Sequence, residues 1–428
     1  MTSSQVASLL AGLAAIIFLA GLLGHLARRL GQPAVIGEIL AGILLGPSLF
    51  GGAISDTLLP TEIRPSLTAL ANVGVAVFMF LVGLELDRNL VRGTGRIAAS
   101  ISLASILLPC GLGIALGSYL LHSHPSDNRL GFLLFMGAAM SITAFPVLAR
   151  ILTDRDMHRT PLGALSLCCA AIDDVLAWSL LAVVVSIVGP HDNLWQTLLL
   201  IPYVVLMLYP MRRLLDWLAK RLSATGRPTA ALLGLMFAGL LLSGAATEWM
   251  GLHFIFGAFL FGAVMPRSGS AAVRAELHER IGLVNNVLLL PVFFVVAGLK
   301  VDLSHIGGTD LVELVLILLV AIGGKFLGAY AAARLRGLGN RVSSAVAVLM
   351  NTRGLTELII LSVGLELGVL DTGLYSLMVV MALITTAMTG PLLDYVYPRK
   401  LALQTTEDDV TGRRRERIAV GESPSSAE

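Results

Sequence analysis

The chain has 428 residues, of which 56% are hydrophobic and only 14% charged, with a mean hydropathy of +0.84 and a formal net charge of +2. These values lie far from the averages of soluble globular proteins and place the chain in a membrane. They exclude a partner such as nucleic acid, and the three cysteines (Cys110, Cys168 and Cys169) lie inside apolar runs and suggest no disulfide framework.

Apolar runs of about 20 residues recur along nearly the whole length, as bilayer-spanning helices require. In chain order they predict 13 spans, at residues 6–26, 33–50, 66–86, 97–121, 130–150, 161–188, 194–211, 228–248, 251–266, 281–299, 311–333, 342–366 and 373–396. The first run is too long, and its start too poor in basic residues, for a cleaved leader. Residues 401–428 are polar, carry Arg413, Arg414 and Arg415, and read as a short disordered cytoplasmic tail with no room for a soluble domain. Basic residues test the count. Alternate loops and the tail hold 25 of the 30 Lys and Arg, including Arg28, Arg29, Arg150, Arg155, Arg212, Arg213, Arg334 and Arg336. The opposite loops hold three: Arg64, Arg129 and Lys300. The positive-inside rule then places the amino terminus outside the cell membrane and the carboxyl terminus in the cytoplasm.

The chain also repeats itself. Residues 78–87 read FMFLVGLELD and residues 293–302 read FFVVAGLKVD, with Phe78/Phe293, Gly83/Gly298, Leu84/Leu299 and Asp87/Asp302 matching at an offset of 215. Gly42 and Gly257 share that offset. The matched segments are the third and tenth spans, which run in opposite directions. This predicts two inverted six-helix repeats joined by the seventh span, an architecture common in secondary transporters, whose sites lie at the repeat interface.

Five charges fall near the middle of spans. Asp173 and Asp174 lie in AAIDDVLAW, Lys325 in AIGGKFLGA, and Arg353 and Glu357 in LMNTRGLTELII. Each costs about 2.5–3.5 kcal/mol to bury in lipid, so they are expected to face one another or a water-filled cavity. Neighbours on a helix point about 100° apart, so a single lysine does not readily satisfy both aspartates. One carboxylate is left over, which is what a carrier of a cation or proton needs. A buried ion-pair network that only fixes helix packing is the bland alternative.

Two spans look broken. The fifth contains Ser141, Thr143 and Pro146, where proline removes a backbone donor and frees carbonyls; the twelfth contains Asn351, Thr352, Arg353 and Gly354 at its centre. Interrupted helices in corresponding halves point to a transport site. Arg353 and Glu357 are expected to neutralise the exposed helix ends more than to touch an ion. The Ser and Thr hydroxyls have back-bonding within their own helix as the ordinary alternative.

Taken together, GEILAGILLGPSLFG, FMFLVGLELD, SITAFPVLAR, AAIDDVLAW, the GGK of the eleventh span and NTRGLTELIIL resemble the monovalent cation:proton antiporter-2 family over residues 5–397. The resemblance implies an all-α membrane fold with crossed discontinuous helices at the midplane. It implies a core domain of about residues 97–188 and 311–396, a dimerisation domain of about 6–86 and 228–299, and a linker helix at about 194–211. It further implies a homodimer in which the core moves like an elevator. In this reading Asp174 binds the cation, Na⁺ or K⁺, and Asp173 pairs with Lys325. Members like the potassium-efflux systems carry a carboxyl-terminal nucleotide-binding domain, for which residues 401–428 are too few.

Exchange of a monovalent cation for protons is therefore expected, probed against two alternatives, a channel-like potassium efflux protein and a membrane sensor that has kept the transporter fold. No Walker loop, metal-ligand spacing or nucleophile elbow points to an enzyme or a cofactor. His253 opens the ninth span, where packing or solvation is the ordinary role and pH sensing the alternative. Cys168 and Cys169 read as small packing residues. Glu38, Glu85 and Asp87 sit near span ends and are expected to be solvated there, with the lining of an entrance the alternative for Glu85 or Asp87.

Overall fold

The structure, a computed structural model, describes residues 2–47, 52–85, 95–157, 160–188, 199–222, 230–265, 279–304 and 307–398. Asp87, the Glu85 side chain and the tail at 401–428 lie outside the described residues. All regular elements among the described residues are helices: α1 (Ser3–Arg29), α2 (Ala34–Leu45), α3 (Ala53–Leu58), α4 (Arg64–Glu85), α5 (Gly95–Leu120), α6 (Arg129–Ser141), α7 (Phe145–Asp154), α8 (Pro161–Val188), α9 (Leu200–Leu206), α10 (Arg212–Leu222), α11 (Ala230–Trp249), α12 (Phe254–Ala263), α13 (Leu290–Leu299), α14 (Gly308–Leu335), α15 (Asn340–Met350), α16 (Leu355–Glu366) and α17 (Thr372–Val396). Single π-helical turns precede α10 (Met207–Met211) and α13 (Asn285–Leu289).

Sequence signals set many of these ends. Thr2 and Gln5 form a capping box at the start of α1, and Arg28 and Arg29 sit in its last turn, where cations suit the helix dipole. Asp371 accepts from Leu374 N–H and caps α17. Among the described residues, nine helical segments are long and apolar enough to cross a membrane; α15 and α16, bent by 40° at their junction, add a tenth. Among the described residues, the expected spans 33–50 and 251–266 contain only the short helices α2 and α12. Gly46 and Pro47 follow α2, and His253 at an extended cap precedes α12. Apolarity alone marked these runs, and it does not register where the backbone leaves the helix.

The helices pack in two sets. In one, α5 packs on α14, α6 and α8, with α15, α16 and α17 completing the cluster; in the other, α4 packs on α12 and α13, and α2 on α1 and α13. Close helix contacts in the second set rest on glycine. A Cβ on Gly42 would lie 2.5 Å from the Val295 carbonyl, and one on Gly262 would collide with the Phe80 carbonyl. Gly42 thus corresponds by contact to Gly262, an offset of 220, and not to Gly257 as the shared spacing of 215 suggests. Gly83 and Gly298 do make matching contacts, against Phe259 and Ile39 carbonyls.

One charged cluster ties the end opposite the arginine-rich loops. His124, just beyond α5, contacts Asp371 through Nδ1 at 2.5 Å and Glu313 of α14 through Nε2 at 2.9 Å. The hydrogen bond to Asp371 raises the His124 pKa most, against burial, and with Glu313 takes it to about 9. Burial alone would raise the Asp371 carboxyl, but the His124 bond and charge and the Leu374 N–H hold it below its ordinary value. A raised imidazole stabilises the fold fully below about pH 6.5 and loses that contribution as pH climbs through about 9. His124→Ala is therefore expected to lower stability by about 1 kcal/mol at pH 6, after discounting for solvent at Asp371, and by much less at pH 10. Thermal unfolding of the purified protein at the two pH values checks this; an equal loss at both would assign His124 to packing alone.

Candidate ion-binding site at two helix breaks

Between α6 and α7 the chain leaves the helix at residues 142–144, and between α15 and α16 at residues 351–354. The breaks are bonded to each other: Ala144 N–H donates to the Thr352 carbonyl at 2.9 Å. Gly354 is required at its turn, because a Cβ there would fall 2.6 Å from Val147 Cγ2. Pro146 does not interrupt a running helix, as the sequence suggested. It sits in the first turn of α7, where its missing N–H costs nothing.

Four side chains converge beside these breaks. Lys325 Nζ donates to Asp173 Oδ2 at 3.0 Å and to Thr143 Oγ1 at 2.6 Å. The Thr143 hydroxyl also lies 2.8 Å from Asp173 Oδ2 and 2.9 Å from the Met350 carbonyl, with one proton to share between them. Ser105 of α5 reaches Asp173 Oδ2 at 3.1 Å. Asp173 and Lys325 are both 0% exposed, so the pair is fully withdrawn from water and each needs the other.

Asp174 is placed differently. It is 3% exposed, yet its Oδ1 has no hydrogen-bond partner among the described residues. The Phe145 backbone N–H, at the positive end of α7, faces the carboxylate. Asn351 Oδ1 and Thr352 Oγ1 at the second break are likewise buried oxygens without a partner among the described residues. Ser141, by contrast, is spent on the carbonyls of Gly137 at 2.6 Å and Ile106 at 3.1 Å. Its hydroxyl takes the back-bonding option.

Arg353 and Glu357 form a separate pair. Arg353 Nη1 donates to Glu357 Oε2 at 2.8 Å and to the Ala139 carbonyl at 2.7 Å, and Nη2 to the Met140 carbonyl at 2.6 Å. The guanidinium thus covers the last carbonyls of α6, which lack helical partners and carry the negative dipole end. Glu357 lies in the first turn of α16, where a carboxylate suits the positive end.

Ser105 and Thr386 escaped the sequence reading. Thr386 Oγ1 donates to the Arg353 carbonyl at 2.7 Å, and Ser102 to the Cys169 carbonyl at 2.8 Å. Ser102 and Ser105 are three residues apart in an apolar helix and share a face. That spacing was the available signal.

A crevice of about 690 Å³ runs in from the arginine-rich face between the two helix sets. Glu38 and Arg28 line it from one set, and Pro146, Val147 and Arg150 from the other. Its lining therefore reaches the first turn of α7, beside Phe145 and Asp174. Glu38, expected at a solvated span end, is half-buried in this crevice.

The chain resembles known proteins over nearly its whole helical region. It is 41% identical over 409 residues to the Na(+)/H(+) antiporter NhaS4 of Synechocystis sp., covering 93% of this chain and 99% of that protein. It is 39% identical over 403 residues to cation/H(+) antiporter 20 of Arabidopsis thaliana and 32% identical over 405 residues to K(+)/H(+) antiporter 1 of Saccharomyces cerevisiae. Those matches cover 90% and 88% of this chain; the chain spans about half the length of these two relatives, 48% and 46%. The solved structure of the sodium proton antiporter MjNhaP1 from Methanocaldococcus jannaschii superposes with a TM-score of 0.64 over 94% of this chain and 99% of that one, at 15% identity, which establishes a shared fold. Residues 14–396 match the model of the transmembrane sodium/hydrogen exchanger family, and the chain belongs to that family.

Proposed function

We propose that the chain exchanges a monovalent cation, Na⁺ or K⁺, for protons across a cell membrane. The observation that carries this is the unequal treatment of two adjacent buried carboxylates. Asp173 is held by Lys325, Thr143 and Ser105, while Asp174 keeps a buried oxygen without a hydrogen bond. A dehydrated cation needs negative charge and several oxygens. Asp174, with Asn351 and Thr352 at the second break, offers both. A proton competes for the same carboxylate, so one ligand excludes the other. If the unloaded, negatively charged site cannot cross the membrane, the two fluxes are coupled. The printed names of the relatives, Na(+)/H(+) and K(+)/H(+) antiporters, support the same reaction and leave both cations open.

Thirteen spans, two of them broken and crossing at the midplane, suit this task. The inverted-repeat reading is supported by matching glycine contacts: Gly42 on α13 answers to Gly262 on α4. In this reading the set containing α5, α8, α14 and α16 is the moving core, and the set containing α2, α4, α12 and α13 forms the dimer contact. The core carries Asp174 past the other set as an elevator, with the arginine-rich loops and the carboxyl terminus on the cytoplasmic side. Purified protein in proteoliposomes tests the function: addition of Na⁺, K⁺, Li⁺ or Rb⁺ in turn is expected to drive proton flux for at least one of them. No proton movement with any of the four would overturn the reading.

A further inference from the structure

The two helix sets meet differently at the two faces of the molecule. Away from the arginine-rich loops they touch. Glu366, the last residue of α16, lies 3.4 Å from Lys300 Nζ, just beyond α13, and 3.8 Å from His253 Nε2, just before α12. Nearby, Asp302 N–H donates to Ser376 Oγ and the Tyr375 hydroxyl donates to the Ala297 carbonyl, both at 2.9 Å. One carboxylate from one set thus faces two basic groups from the other. At the arginine-rich face the same sets are separated by the crevice, with Glu38 of α2 on one wall and Arg150 of α7 on the other. Glu38 shares this crevice with Arg28 of its own set and with Arg150 of the other.

We infer that these residues are two alternating latches that position the ion-carrying helices. Glu366 holds Lys300 and His253 while the crevice is open, and Glu38 closes onto Arg150 when the sets slide and the crevice shuts. The inference rests on the proposed movement of one set past the other and names the contacts that set its balance. Lys300 and His253 are half-buried beside the exposed Glu366, so a displacement that separates them costs little, and forming the Glu38–Arg150 contact at the other end offsets that cost. The two arrangements then stay close enough in free energy for both to be visited in each cycle. A single latch would trap the molecule at whichever face it closed. Glu366 and Glu38 act through the helices they position and have no contact with the transported ion in this scheme.

Sided cysteine labelling of the full chain in membrane vesicles tests this without measuring transport. The background replaces Cys110, Cys168 and Cys169 with alanine. Ser376→Cys reports the closed face, because Ser376 is 1% exposed where the sets touch, and Ala149→Cys reports the crevice that it lines. Glu366→Gln is expected to speed labelling of Ser376→Cys by a membrane-impermeant maleimide about two- to fivefold and to slow labelling of Ala149→Cys. Glu38→Gln is expected to do the reverse. Lys300→Glu alone is expected to act like Glu366→Gln, and Lys300→Glu combined with Glu366→Lys is expected to return both rates toward the parent. Unchanged rates in Glu366→Gln, or a charge exchange that fails to restore them, would overturn the latch. Faster labelling at Ser376→Cys with no change at Ala149→Cys would also overturn it, as local loosening. A parent protein that moves no protons with any cation overturns the proposed exchange whatever the labelling shows, so the two failures are distinct.

Discussion

Asp174→Asn is expected to abolish cation-driven proton flux while leaving a folded, monodisperse protein. The side chain keeps its volume and loses its charge. No ion pair is broken, because Lys325 bonds Asp173 and Thr143, and Asp174 Oδ1 bonds nothing among the described residues. Stability should therefore change little. The contrast is Asp173→Asn, which leaves the fully buried Lys325 ammonium without its carboxylate. Removing one partner of a buried pair costs roughly 3–5 kcal/mol. Two neighbouring, nearly isosteric changes are thus expected to separate carriage from scaffolding: one removing transport at unchanged unfolding temperature, the other lowering the unfolding temperature first. Flux from purified Asp174→Asn at the parent rate would remove Asp174 from the site and return attention to the neutral oxygens of Asn351 and Thr352.

Much of this contrast was legible in the sequence, because the membrane makes buried charge expensive. Asp173, Asp174 and Lys325 had to be excused by partners or by function, and with one lysine for two aspartates the excess carboxylate followed from counting. Helix breaks were legible for a related reason, since Asn, Thr, Arg and Gly in the middle of an apolar run are poor helix continuers. Hydroxyl groups were not legible to the same depth. Ser105 and Ser141 each reach a carbonyl of their own helix and a group on another, yet for Ser105 that second group is the Asp173 carboxylate and for Ser141 only the Ile106 carbonyl. A serine can satisfy itself locally at almost no cost, so sequence does not force its hand. Arg353 was assigned to the break it belongs to, but its targets, the Ala139 and Met140 carbonyls, lie more than 200 residues away. Only the meeting of α6 with the second break brings them together. Glycine spacing alone was a poor guide to contacts: Gly42 packs on Val295 and Gly262 on Phe80, so the two glycines in like contacts lie 220 residues apart and not 215, a difference that apolar helices tolerate without any change in composition.

Exchange is expected to respond to membrane potential, with more than one proton moved per cation. The geometry supplies the reason. In the structure the Asp173–Lys325 pair is internally neutral and Asp174 stands apart. A cation bound between both carboxylates has to draw Asp173 away from Lys325. The ammonium would then be buried and unpaired, and desolvation drives such a group to release its proton. One cation therefore displaces a proton from Asp174 and another from Lys325, and one net charge crosses per cycle. That charge is worth about 2.3 kcal/mol per 100 mV. A negative interior would extrude the cation even with no pH gradient. Thr143 sharpens the expectation, because its hydroxyl bridges Lys325 and Asp173 and is free to follow either when they part. Asp173→Asn removes the lysine's partner beforehand, so whatever exchange survives should carry one proton per cation and ignore the potential. The measurement is cation-driven proton flux in proteoliposomes, with the potential clamped at zero or set by an ionophore whose ion is not the substrate. If the rate and end point of the unmodified protein are the same at both potentials, Lys325 keeps its proton throughout the cycle, and its bond to Asp173 serves only to hold α8 against α14.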